Sequence, residues 1–174
     1  MNTLIRTVIE LIAKGIVVSL FLVVFVVSAS KILNTPLYIE PEFRPIFNQF
    51  TQDAEKYKTK PDFSKLITIF KDELSFGTAA YCLPNTNTVV VSYPVYNGLS
   101  DNGKKALLYH EWGHCTLKRD HVEKTVEYKS LRCPVSLMYP YIDPVEFCYP
   151  ILEDLYTQEL FTNPYNFKKI SEED

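Results

Sequence analysis

The segment His110-Glu111-Trp112-Gly113-His114-Cys115-Thr116-Leu117-Lys118-Arg119-Asp120-His121 contains all three histidines of a 174-residue chain. Histidines used for ordinary packing or solvation scatter along a sequence, so this clustering points to a shared task, the holding of a metal ion. On a helix, residues four apart project from one face about one turn from each other, so His110 and His114 can offer two imidazole nitrogens to one ion. Glu111 lies beside them, where it can reach a water on that ion without being a ligand. The domain must therefore be built around a helix that runs through His110 and His114.

The flanking residues supply that helix. Ser100 is a fitting N-cap, and Asp101 puts negative charge in the first turn, where the helix dipole favours it. Ala106, Leu107 and Tyr109 then carry the helix into His110. No glycine stands between Cys115 and Asp120, so Lys118-Arg119-Asp120 must make the turn if His121 is to swing back toward the other two rings.

Working outward, Lys65 to Lys71 is β-branched and aromatic and reads as a strand. Ala79 to Leu83 and Thr88 to Ser92 read as two more, joined by the turn Pro84-Asn85-Thr86-Asn87. Tyr93 to Leu99, with Pro94 and Gly98, is expected as a loop. Phe43, Ile46, Phe47, Phe50, Ala54 and Tyr57 fall at helical spacing and predict an amphipathic helix that ends before Pro61, with its aromatic stripe in the core. Asn34 to Pro45 carries three prolines and is expected as an extended linker. Beyond the histidines, a polar stretch reaches Arg132, and Cys133 to Tyr141 is expected to be irregular because of its prolines. Val145, Cys148, Leu152, Leu155, Tyr156 and Leu160 predict a closing helix from Pro144 to Phe161, with Pro144 in its first turn and a bend at Pro150. Asn163 to Asp174 is a polar tail. The pattern predicts one α+β domain with a small mixed sheet.

Composition agrees with a single packed domain, being 47% hydrophobic and 14% aromatic. A net charge of −3, with no run of Lys and Arg, excludes nucleic acid as an expected partner. From Ile16 to Ala29 the chain is apolar apart from Ser19 and Ser28, and Arg6 and Lys14 precede it. Residues 1–33 therefore read as a signal peptide, cut after Val27-Ser28-Ala29 or Ser28-Ala29-Ser30, or as an uncleaved membrane anchor. Both place residues 34–174 outside the cytoplasm, periplasmic or secreted. In an exported chain the four cysteines are compatible with two disulfides. Of the three possible pairings, Cys82 with Cys115 and Cys133 with Cys148 are expected, because each ties a neighbouring segment to the histidine region. No C-x-x-C pair is present, so a cysteine-based zinc site is not expected.

His110, Glu111 and His114 form the H-E-x-x-H arrangement of zinc hydrolases. A catalytic zinc takes three protein ligands and leaves a position open for water. The third ligand is expected to be His121. In the longer pattern H-E-x-x-H-x-x-G-x-x-H the third ligand would fall on Asp120 and the glycine on Leu117, so this sequence departs from it twice. Asp120 stays a candidate for that reason. A carboxylate from the closing helix, Glu153 or its neighbour Asp154, is the remaining one.

Ser136-Leu137-Met138-Tyr139-Pro140 resembles the methionine-containing turn that metzincins place beneath their zinc. With the histidine segment, it resembles the small exported metallopeptidase-like proteins that read H-E-x-G-H-C with a later S-x-M-x-P. The likeness covers roughly Thr88 to Tyr141. It implies a metzincin-like fold with one catalytic zinc ion, Met138 in the supporting turn, and a peptide or protein substrate lying antiparallel to an edge strand. The expected activity is a zinc-dependent metalloendopeptidase with Glu111 as general base. Thr88 to Ser92 is the strand expected to bind the substrate backbone, and Tyr139 or Tyr141 is expected to support the oxyanion. Trp112 and Gly113 are expected to serve packing. The alternatives are a zinc hydrolase with a carboxylate third ligand, and a membrane-tethered metal-binding or structural protein without turnover.

Overall fold

The computed structural model describes residues 37–75 and 77–162. The expected signal peptide or anchor and the tail from Asn163 lie outside the described residues. The architecture is α+β. Strands β1 (Tyr38–Ile39), β2 (Ile67–Lys71), β3 (Ala80–Leu83) and β4 (Thr88–Ser92) form one mixed sheet in the order β1-β2-β4-β3. The first three neighbours in that order are parallel, and β3 runs antiparallel to β4. Of the two interior strands, β2 and β4, the more buried is β4, with Val89, Val90 and Val91 inside, as a strand covered on both faces requires.

Among the described residues, four helices accompany the sheet: α1 (Arg44–Lys56), α2 (Tyr93–Gly98), α3 (Asp101–Leu117) and α4 (Ile142–Thr162). Helix α3 lies at the centre of the core. Trp112 is fully buried, its indole N–H donates to Thr68 Oγ1 of β2 at 3.0 Å, and the rings of Phe47 and Phe50 from α1 meet it edge-on at 5.2 and 5.3 Å. The tryptophan and the aromatic stripe of α1 are therefore packing residues, as expected. Ser100 caps α3, its Oγ accepting from the Gly103 N–H at 3.1 Å. Two disulfides close the unit: Cys82–Cys115 joins β3 to α3, and Cys133–Cys148 joins the hairpin described next to α4. These are the expected pairs, and they suit an oxidising environment. Among the described residues, no helix is long and apolar enough to cross a membrane.

Five local expectations need correction. The proline-rich linker is only partly extended: it contributes the edge strand β1, a 3-10 turn at Pro41–Phe43 and the first turn of α1, where Pro45 lacks only an N–H that would be unsatisfied anyway. Tyr93–Gly98 is a short helix rather than a loop, for the same reason, with Pro94 at its start. The first strand starts at Ile67 instead of Lys65, because Lys65 takes a left-handed turn conformation at φ 60°. The stretch expected to be polar and irregular holds a hairpin, β5 (Thr125–Tyr128) with β6 (Leu131–Pro134). Its turn, Lys129-Ser130, has φ 44° and 66°, the geometry usually signalled by Asn-Gly and here carried by residues that give no such signal. The closing helix begins at Ile142, two residues early, and continues through Pro150.

Candidate metal centre

His110 and His114 stand one turn apart on α3, with their Nε2 atoms 3.0 Å from each other. The helix ends at Lys118, which adopts φ 56°, ψ 38°. Glycine normally fills that left-handed position, and a side chain there costs about 1–2 kcal/mol. Compensating bonds surround it: Arg119 N–H donates to the Gly113 carbonyl at 3.1 Å, and Lys118 Nζ donates to that of Cys115 at 2.6 Å. The reversal brings His121 Nε2 to 3.2 Å from His110 Nε2. Among the described residues, His110, His114 and His121 make the group of three that could hold a metal ion, one ligand atom from each lying within 4.8 Å of the others.

The protons of two rings are fixed by their surroundings. His110 Nδ1 lies 2.7 Å from the Leu137 carbonyl oxygen, and His114 Nδ1 lies 2.6 Å from that of Arg119. A carbonyl can only accept, so each Nδ1 carries the hydrogen and each Nε2 presents a lone pair. Burial pushes His110 down to about 3 and lowers His114 as well, so both rings are neutral near pH 7. Two bare lone pairs at that separation repel each other unless a cation lies between them. Tetrahedral zinc, with bonds of about 2.0–2.1 Å, would space its ligand nitrogens about 3.3 Å apart. The donor set, the neutral tautomers and the observed separations all fit such an ion.

Glu111 is 5% exposed and lines the same cavity as the three rings, a space of about 480 Å³. Burial pushes its carboxyl up to about 8, against a backbone hydrogen bond from Cys82 that pulls it down. Ala80, Tyr81 and Cys82 of β3 form one wall. A second cavity of about 340 Å³ shares His110 and Glu111 and reaches Leu107, Tyr139, Tyr141 and Val145.

The other expected site residues fall as follows. Asp120 is exposed on the wall of the first cavity and does not belong to the metal group. Glu153 is engaged by Lys105 Nζ at 2.6 Å and Asp154 is exposed, so neither carboxylate joins the histidines. Met138 is fully buried against α3. A Cβ on Gly113 would lie 2.8 Å from its sulfur, which explains the glycine as a point of close approach. Tyr139 is half-buried and Tyr141 exposed, both on the second cavity. The expectation for Thr88–Ser92 is overturned: β4 is paired on both sides, by β2 and β3, and has no free edge to offer a substrate. The edge strand beside the histidines is β3.

Three polar residues around the site were not anticipated as partners. Arg119 pairs with the buried Glu159 of α4, and Ser136 Oγ donates to the other oxygen of that carboxylate at 2.7 Å. Burial raises Glu159, while Ser136 and Arg119 lower it. A sequence signal did exist: Glu159 shares the buried face of α4 with Leu152, Tyr156 and Leu160, where a solvated glutamate would not sit.

No family model, no curated protein and no solved structure matches this chain. The class is therefore defined by its own residues: an α+β domain, held by two disulfides, whose central helix and following turn gather three histidines able to hold a metal ion.

Proposed function

We propose that this chain is a zinc-dependent metalloendopeptidase of metzincin-like kind, exported from the cytoplasm. The observation that carries the reading is the convergence of three imidazoles, two of them held as Nδ1–H tautomers by backbone carbonyls, beside a buried glutamate in an open cavity. Bound there, zinc would supply a polarised water and a Lewis acid for a peptide carbonyl. His110, His114 and His121 would hold it. Glu111 takes a proton from the attacking water on a carboxylate oxygen and delivers it to the departing amine. Burial raises its carboxyl in the zinc-free chain and a bound cation would draw it back down, and these opposing effects suit a group that must both accept and donate a proton near neutral pH.

The free edge of β3 supports a peptide substrate, because an extended chain can add to it as a further strand and pass over Glu111. The second cavity, with Leu107 and Val145 in its lining, would receive an apolar side chain of that peptide, and Tyr139 or Tyr141 would donate to the developing oxyanion. The buried Met138 turn and the approach of His121 Nε2 to His110 favour the metzincin-like reading over a carboxylate third ligand, although the step from His110 to His121 is one residue longer than that pattern. The disulfides favour a periplasmic or secreted domain.

The test is Glu111→Gln in the full chain, assayed on a mixture of unstructured peptides with and without a chelator. Chelator-sensitive cleavage by the wild type and its loss by about 10²-fold or more in a variant that keeps its zinc is the expected result. Zinc bound by both proteins with no cleavage by either would leave a metal-binding protein without turnover.

A further inference from the structure

The two helix histidines are oriented by carbonyls of irregular segments, Arg119 in the turn after α3 and Leu137 in the segment after β6. A carbonyl can hold an imidazole in one tautomer and one rotamer only if its own peptide plane is held. In many metal sites that task belongs to a carboxylate bonded directly to the ligand. Among the described residues, no carboxylate is bonded to either ring. One carboxylate, however, reaches both peptide segments.

We propose that Glu159 is a positioning residue for the metal site, fixing His114 through Arg119 and His110 through Ser136; the assignment rests on the three-histidine metal reading. Glu159 lies in the last described turn of α4 and is 4% exposed. Its Oε1 takes the Arg119 guanidinium, whose other nitrogen donates to the backbone carbonyls of Glu159 and Leu160 at 3.0 and 2.7 Å. In helical register the Leu160 carbonyl would look to residue 164, a proline, which has no N–H to give. Arg119 is thus clamped at three points, and the carbonyl of the same residue receives His114 Nδ1–H.

On the other side, Glu159 Oε2 accepts from Ser136 Oγ at 2.7 Å, and that Oγ accepts from the Met138 N–H at 3.0 Å. The serine thereby spans the Leu137 peptide, whose carbonyl receives His110 Nδ1–H. Val122 N–H donates to the Met138 carbonyl at 2.9 Å, so the two segments are also tied to each other one residue beyond His121. The network reaches both rings through two separate oxygens of a single side chain.

A purely stabilising role makes a different prediction. A buried ion pair loses in desolvation much of what it gains in attraction, and replacing both partners with apolar residues often leaves stability unchanged or higher. Such a swap would remove the orientation of the carbonyls while keeping the fold, which separates positioning from packing.

The experiment uses the full chain, with zinc as the probe. Zinc affinity is measured by competition with a chromophoric chelator for the wild type, for Glu159→Gln and for the double variant Arg119→Met/Glu159→Leu. Imidazole ¹⁵N NMR of the zinc-free proteins reports the tautomers. The expected result is a dissociation constant raised about 10- to 100-fold in the double variant, with a smaller rise in Glu159→Gln, which keeps an acceptor for Ser136. The Nδ1–H signals of His110 and His114, sharp in the wild type, should average between tautomers in the double variant. A folded double variant with wild-type affinity and fixed tautomers overturns the proposal and leaves the metal reading intact. If the double variant does not fold, unchanged affinity in Glu159→Gln overturns it instead. Absence of zinc binding by the wild type defeats the metal reading itself, and this one with it.

Discussion

His114 donates from Nδ1 to the carbonyl oxygen of Arg119 at 2.6 Å, closing the same turn that delivers His121 to the site. One bond therefore sets the tautomer of His114 and the direction in which the chain leaves the helix. The turn depends on Lys118 holding φ 56° without being a glycine. Lys118→Gly relieves the backbone strain but forfeits the Nζ bond to Cys115, so stability and zinc affinity should stay close to wild type. Lys118→Ile forces a β-branched residue into the left-handed region and should cost about 1–2 kcal/mol or more, with a weaker zinc site. Urea unfolding and chelator competition on both variants check this; equal behaviour of the two would refute the role given to the turn.

His121→Ala should reduce zinc content to near background, because two imidazoles alone do not complete a three-ligand site. Asp120→Ala should leave content unchanged, since the exposed carboxylate stands outside the converging nitrogens. Metal analysis after dialysis distinguishes the two, and the opposite ranking would make Asp120 the ligand.

The histidine segment was legible because its chemistry is local: the four-residue spacing, the N-cap at Ser100 and the absence of other histidines all lie within one helix and its ends. That Thr88–Ser92 is a strand was recognisable from Val89-Val90-Val91 for a similar reason. Which edge of the sheet faces the histidines was not legible, because strand order is set by long-range pairing: Thr88–Ser92, expected to offer a free edge, is paired on both sides, and Ala80–Leu83 lies at the sheet edge instead. The hairpin turn at Lys129-Ser130 was invisible because neither residue belongs to the usual left-handed set. Arg119 lies 40 residues from Glu159 and resembles an ordinary surface charge until the packing of α4 on α3 brings the two together.

Gly113→Ala would place a methyl group 2.8 Å from Met138 Sδ and 3.1 Å from Leu160 Cδ1. Alanine gains about 1 kcal/mol in helix propensity, while overpacking typically costs about 1–3 kcal/mol, so a net loss of about 1–2 kcal/mol is expected. In a Met138→Ala background the nearest obstacle is gone, and the same substitution should become neutral or stabilising. A double-mutant cycle measured by urea unfolding tests this. Additive effects would mean that Met138 and Gly113 do not press on each other.

The last prediction concerns Glu111 in the zinc-free protein. Its carboxyl is raised to about 8 in the fold, from a value of 4.5 when solvated. Below pH 4.5 it is protonated whether the chain is folded or not, and burial exacts nothing. As pH rises toward 8 the unfolded chain ionises freely while the folded one resists, so the folded state binds more protons and loses stability with rising pH. Glu111→Gln removes that penalty. The variant should match the wild type at pH 4 and exceed it at pH 8.5, by up to roughly 4 kcal/mol. His110 has the opposite sign, costing stability as pH falls from 6.5 toward about 3, but it is common to both proteins and cancels from their difference. Chelated samples unfolded in urea at both pH values give the answer, and a pH-independent difference would mean that Glu111 is solvated in the folded chain. Added zinc should shrink the gap at high pH, because a nearby cation stabilises the carboxylate that the glutamine lacks.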